Sequence, residues 1–274
     1  MVIDTHVHFW KYNKVRDTWL TDDMKILQQD YLPQAIETTL EENSVDGCVA
    51  VQAAQSELET DFLVQLAKNH SFIKGIVGWV DLQNDNINER LQHYTQYPVI
   101  KGWRHAVQAE PDDFLLRANF QRGIRALQPF NYTYDILVYH HQLKSVAEFL
   151  SIFVNQKMII DHCAKPGIGN KKINDWGKLM REIAEHKNVY CKLSGLLTEA
   201  TWKKWAPLEF YPYLDILFDA FGTERLLFGS DWPVLFLSGN YHQWKSLLEN
   251  YLKTTSAVDK KRIFGKNAVQ FYSL

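Results

Sequence analysis

The sequence predicts an α/β fold, a single-domain (β/α)8 barrel of the TIM type. Two observations lead there. Short apolar runs alternate with segments of helical period along all 274 residues. The runs are nearly continuous in apolar character, as in strands of a parallel sheet buried on both faces, rather than alternating as in a half-exposed sheet. The length is ordinary for one such barrel. No low-complexity tract, like-charge block or Gly/Ser linker divides the chain, so residues 1–274 read as one domain.

The expected strands, in order, cover 2–8, 45–52, 73–80, 98–107, 134–140, 158–162, 189–193 and 226–228. Amphipathic helices lie between them. Leu143, Val146, Phe149, Leu150, Phe153 and Val154 recur at helical spacing, as do Trp176, Leu179, Met180 and Ile183, and Tyr213, Leu214, Leu217 and Phe218. The last helical segments, about 244–252 and 260–271, are expected to pack outside the final strand. An open doubly wound sheet would announce itself with a glycine-rich first turn. Here the first strand runs into THVHFW, with no glycine. Residues 9–32 form a long first loop rich in aromatics (Phe9, Trp10, Tyr12, Trp19, Tyr31). It reads either as a lid or pocket wall or as a packed surface excursion.

Composition excludes several classes. Hydrophobic residues make up 46 % of the chain, charged residues 23 %, and the net charge is −2. That balance gives no reason to expect nucleic acid or an anionic membrane as partner. No apolar run reaches the roughly 18 residues of a spanning helix. The three cysteines, Cys48, Cys163 and Cys191, sit in or beside apolar runs and read as small buried hydrophobes. With no evident signal segment, the expected compartment is the cytoplasm. A homo-oligomer is compatible with all of this.

The chemistry gathers at strand ends. His6 and His8 are two apart in the first strand, so their imidazoles share a face. Such a pair suits a metal ion or the polarisation of a carbonyl. A barrel sets strand one beside strand eight and every C-terminal strand end on one rim. His162, directly after a buried run, and Asp231, in LLFGSDWPV, then converge with the histidine pair. An ordinary Asp titrates near 3.9 and is ionised at neutral pH, so Asp231 can act as base toward water. Arg104 and His105 end the fourth strand, where Arg104 could clamp a substrate or pair with an acid of the fold. Gln52, Tyr139, His140, Lys192 and Trp232 also fall at strand ends and are candidate substrate contacts. Asp161 and Lys165 read as supporting or structural residues. His70, His93, His186 and His242 read as surface residues.

The stretches IDTHVHFW, VQAAQSELETDFLVQLA, VGWVDL, KGWRH, IIDHCAKP, CKLSGL, LLFGSDWP and IFGKNAVQFY are carried in this order from end to end. Together they resemble the amidohydrolase superfamily, specifically its sugar-lactonase branch of L-fuconolactonases and L-rhamnonolactonases. The resemblance implies a (β/α)8 barrel that hydrolyses the cyclic ester of a sugar acid, with a small-molecule sugar lactone as its partner. By motif match, His6 and His8 take the HxH role, His162 the strand-six histidine role and Asp231 the strand-eight aspartate role. Two-metal members use a carboxylated lysine or a glutamate after strand four. This chain has Trp103, Arg104 and His105 there, which argues against a two-metal centre.

One divalent ion, zinc first, is compatible with His6, His8 and Asp231, with His140 or His162 as a further ligand. A metal-independent site is compatible as well. A lactone is an activated ester, and one placed oxyanion donor contributes about 3–4 kcal/mol. The competing readings are a metal-dependent hydrolase or decarboxylase of an aromatic or dicarboxylate substrate on the same fold, and a catalytically silent barrel that binds a sugar acid.

Overall fold

The structure, a computed structural model, describes residues 1–171 and 173–274. Its strands are β1 (Ile3–Val7), β2 (Gly47–Val51), β3 (Ile73–Gly78), β4 (Ile100–His105), β5 (Thr133–Ile136), β6 (Met158–Ile160), β7 (Val189–Leu193) and β8 (Leu226–Phe228). They form one eight-stranded sheet in sequence order. Every neighbouring pair is parallel, as helical crossovers require.

The ring closes just past β8. Val7 bridges Trp232 in parallel. The His8 amide donates to the Trp232 carbonyl at 2.8 Å, and the Asp231 amide donates to the His6 carbonyl at 2.9 Å. The Thr5 hydroxyl donates to the Phe228 carbonyl at 2.7 Å. Asp4, fully buried, fastens the same seam by accepting from the amides of His6 (3.0 Å) and Ser230 (2.8 Å) and from the Tyr241 hydroxyl (2.9 Å). Burial pushes its carboxyl up to about 6 against those donors.

Several expected strands are longer than the observed ones. β5 ends at Ile136 and β6 at Ile160. Leu137 and Val138 remain buried after β5. Their apolar character reflects packing under the rim rather than ladder pairing, so the run overshoots the strand.

The interior of the barrel is layered. Ile3, Val49, Val51, Val77, Ile159 and Leu227 form an apolar floor that is completed by Ala268, Phe271 and Tyr272. The last helix, Asn267–Tyr272, therefore closes the N-terminal mouth of the barrel instead of packing outside the final strand as its sequence position suggests. A ring of inward apolar side chains with no strand below it must be covered, and the chain's last aromatics cover it. Above the floor lies a charged layer. Lys192 is fully buried, its Nζ at 2.5 Å from Asp135 Oδ2 and 2.9 Å from Asp161 Oδ1. Tyr272 donates to Asp135 from below at 2.8 Å. Buried charges persist only when matched in this way.

The 9–32 loop is a folded wall. Trp10 and Tyr31 exchange backbone hydrogen bonds at 2.9 Å. Tyr31 meets the Trp232 ring edge-on at 5.2 Å. All three cysteines are buried and free. No helix among the described residues is long and apolar enough to cross a membrane.

Candidate active site

At the C-terminal rim, the ends of β1, β2, β4 and β6 and the segment after β8 surround a cavity of about 420 Å³. His8, Gln52, Arg104, His162, Lys165 and Asp231 line its base, and Trp10, Arg16, Asp17 and Trp19 of the first loop form one wall.

His6 and His8 leave β1 with their Nε2 atoms 3.2 Å apart. The His8 Nδ1 lies 2.8 Å from the Val51 carbonyl, which can only accept. That nitrogen therefore carries the proton, and a neutral His8 presents a lone pair at Nε2. Arg104 Nη1, which can only donate, reaches His6 Nε2 at 3.1 Å, so this nitrogen also presents a lone pair. Asp161 Oδ1, at 3.5 Å, takes the Nδ1 side of the same ring. With both rings neutral, the two lone pairs face one position that a cation can share.

Asp231 Oδ1 completes the set, 3.4 Å from His8 Nε2, 3.9 Å from His6 Nε2 and 3.8 Å from His162 Nε2. Ligands held about 2.0–2.1 Å from a tetrahedral zinc ion lie about 3.3–3.4 Å from one another. His6, His8 and Asp231 therefore fit one divalent ion, with His162 beside them. The Arg104 contact and an ion would use the same lone pair of His6. A second ion would face the Arg104 guanidinium, in keeping with the argument against a two-metal centre.

Charge states agree with this donor set. Burial, the largest effect, drives His6 well below the usual imidazole value against the pull of Asp161. Burial likewise lowers His162 to about 4, opposed by Asp231 and Asp161. Burial alone would raise Asp231, but His162, His8 and Lys165 hold it below the usual carboxylate value. The site is thus a cluster of imidazoles, with His6 and His162 uncharged near neutrality, around one carboxylate.

His162 reaches the site by an unusual path. His162, Cys163, Ala164 and Lys165 all have positive φ, at 52°, 53°, 57° and 49°. Left-handed backbone costs about 1–2 kcal/mol per non-glycine residue, so four in succession are retained only because their surroundings impose them. Ser194 Oγ meets His162 Nδ1 at 2.9 Å and fixes the ring. Gly195 sits behind it with φ +65°, and a Cβ there would lie 2.5 Å from His162 Nδ1.

The other expected contacts divide. Gln52 lines the cavity and is tied to Arg104 through their backbone and side-chain groups. Arg104 spends its guanidinium on Asp161 at 3.1 Å, on His6 and on Gln52, leaving little for a substrate carboxylate. Lys192 lies beneath the site in the charged layer, its Nζ 3.2 Å from His6 Nδ1. His105 turns away, stacked on Phe114 at 4.7 Å and paired with Glu110 at 3.1 Å. Trp232 is buried among Phe9, Tyr31 and Phe236. His140 does not converge with the metal-type groups, since its Nδ1 lies 2.9 Å from the Lys165 carbonyl. Tyr139 lies under the Lys165 ammonium. Sequence reasoning missed Ser194 and Asp4, and it gave Lys165 no place in the cavity. Ser194 and Asp4 carry no spacing signal; Lys165 does, three residues after His162.

A parallel eight-stranded barrel with a histidine and aspartate centre at its C-terminal rim defines the class, and the comparisons give the family. The family model described as amidohydrolase matches residues 3–274, and the chain belongs to this family. It is 36 % identical to an L-fucono-1,5-lactonase from Burkholderia multivorans, over 99 % of this chain and 96 % of that protein. It is 32 % identical to an L-fucono-1,5-lactonase from Burkholderia ambifaria, over 99 % of this chain and 95 % of that protein. Among solved structures, it superposes with a TM-score of 0.97 and 35 % identity on a Burkholderia multivorans amidohydrolase with bound zinc, covering 100 % of this chain and 99 % of that one.

Proposed function

We propose that the chain is a lactonase that opens the cyclic ester of a sugar acid, an aldonolactone such as L-fucono-1,5-lactone, to the open-chain aldonate. The observation that carries the reading is the convergence of His8, His162 and Asp231 at the base of one cavity, with His6 buried directly against them. The Burkholderia lactonases support the substrate class.

In this reading the lactone carbonyl lies against the imidazoles, and Asp231 keeps its carboxylate toward a water. Asp231 takes one proton from that water as its oxygen adds to the carbonyl carbon. The tetrahedral oxyanion is stabilised by the polar groups around it. As the ring C–O bond breaks, Asp231 returns the proton to the departing ring oxygen, which becomes a hydroxyl. The new carboxylic acid ionises and releases a proton to solvent. His6, His8 and Asp231 would hold one divalent ion, zinc by analogy with the Burkholderia structure, and such an ion supplies Lewis-acid polarisation and lowers the pKa of bound water.

A dicarboxylate substrate would need several available cations. Arg16 is paired with Asp17 at 2.6 Å and Arg104 with Asp161, which favours a neutral, hydroxyl-rich ligand. A silent binding barrel has no use for an ionised carboxylate against three imidazoles. The test is acid release from a panel of aldonolactones, read with a pH indicator. Asp231→Asn should lower kcat by about a hundredfold to ten-thousandfold with the fold retained. No acid release from any sugar lactone, or near-native turnover by Asp231→Asn, would refute the assignment.

A further inference from the structure

Three cationic side chains line the cavity: Arg16, Arg104 and Lys165. Asp17 matches the first and Asp161 the second. Lys165 forms no ion pair within 4.0 Å with any carboxylate among the described residues, and at longer range its charge acts on Asp231 and Glu199. Its ammonium rests 5.2 Å over the Tyr139 ring. Its backbone is held at both ends: the amide donates to the His162 carbonyl at 2.8 Å, and the carbonyl meets the His140 ring at 2.9 Å. The left-handed turn has the tight three-residue repeat in which positions i and i+3 fall on one side. It therefore presents His162 and Lys165 to the same cavity. That shared placement, at the expense of four strained residues, is more than a surface lysine requires.

We propose that Lys165 is the substrate-facing cation of this site, receiving the negative charge that ring opening creates. The proposal rests on the lactonase reading. A neutral lactone enters with no charge for the ammonium to meet. Charge then builds on the carbonyl oxygen and remains as the carboxylate of the product. An interaction of this kind is stronger in the transition state than in the ground state, so its loss lowers kcat more than it raises KM.

The test compares wild type, Lys165→Met and Lys165→Arg. Calorimetry measures binding of L-fuconate, the anionic product, and of the uncharged alditol L-fucitol; kinetics follow hydrolysis of L-fucono-1,5-lactone. Lys165→Met should weaken aldonate binding by about tenfold or more, leave alditol binding within about twofold, and lower kcat about tenfold with KM within about threefold. Lys165→Arg should recover most of the aldonate affinity. Unchanged aldonate affinity in Lys165→Met refutes the proposal, including the case where only the acid limb of the pH profile moves because Lys165 serves Asp231 alone. Equal loss of aldonate and alditol binding with a lowered Tm refutes it in favour of a structural lysine. A wild-type chain that turns over no lactone refutes the lactonase reading instead.

Discussion

His162 carries a measurable signature of its surroundings. Burial holds its imidazole at about 4, whereas in the unfolded chain it titrates near 6.5. Between those values the unfolded chain binds a proton that the folded chain does not. The stability linked to this residue is therefore full above about pH 6.5 and is lost as pH falls toward about 4. In chelator, urea unfolding at pH 7 and pH 5 should show wild type losing roughly 2 kcal/mol more than His162→Asn between the two pH values. Equal losses would mean that the ring is solvated in the folded state. At this scale His6, His8, His162 and Asp231 were legible, because strand alternation and rim position are enough to gather them. Lys192 was legible as a residue but not in its setting. One lysine at the end of VYCKL reads equally as rim or interior. The signal that separates the two is the presence of lone acids in other apolar strands, Asp135 and Asp161, which need a buried cation.

Among the elements, the end of β7 holds the end of β6 in place. Ser194 fixes the His162 ring at 2.9 Å, and Gly195, with positive φ, leaves open the space beside the ring that a Cβ would fill. Gly195→Ala should destabilise the fold by about 1–3 kcal/mol through backbone strain alone. It should also reduce kcat/KM by at least about tenfold, because the added methyl displaces an imidazole that must stay in register with Asp231. Thermal unfolding and steady-state kinetics on one preparation separate the two effects; lost stability with intact kcat/KM would show that the ring tolerates displacement. The strands themselves were legible to differing degrees. β7 and β8 end where polar or glycine residues follow, Ser194 and Gly229, and their limits match the apolar runs. β5 and β6 were overrun because buried loops are apolar too. The left-handed turn after β6 was invisible, since none of its four residues is a glycine.

For the whole molecule, the site lies on the seam between the first and last strands, with His6 and His8 on one side and Asp231 on the other. An ion held by all three adds a link across the place where the ring closes. Zinc at about a hundred times its Kd should stabilise the fold by roughly 2.7 kcal/mol, and chelator should reverse this. Thermal unfolding of wild type and Asp231→Asn checks it, and an equal zinc shift in both would place the ion elsewhere. The barrel and its order were legible because length, alternation and buried strands all agree. The capping role of the last helix was not, because amphipathic period tells that a face is buried without telling against what.

Asp4 and Asp231, which bind the seam, are separated by most of the polypeptide. While the ribosome is still making the middle of the chain, His6 and His8 are already exposed to the cell without the carboxylate that gives them a task. Under the proposed mechanism, fragments released before Asp231 is made are hydrolytically inert, and competence arrives with the final strand rather than growing with length.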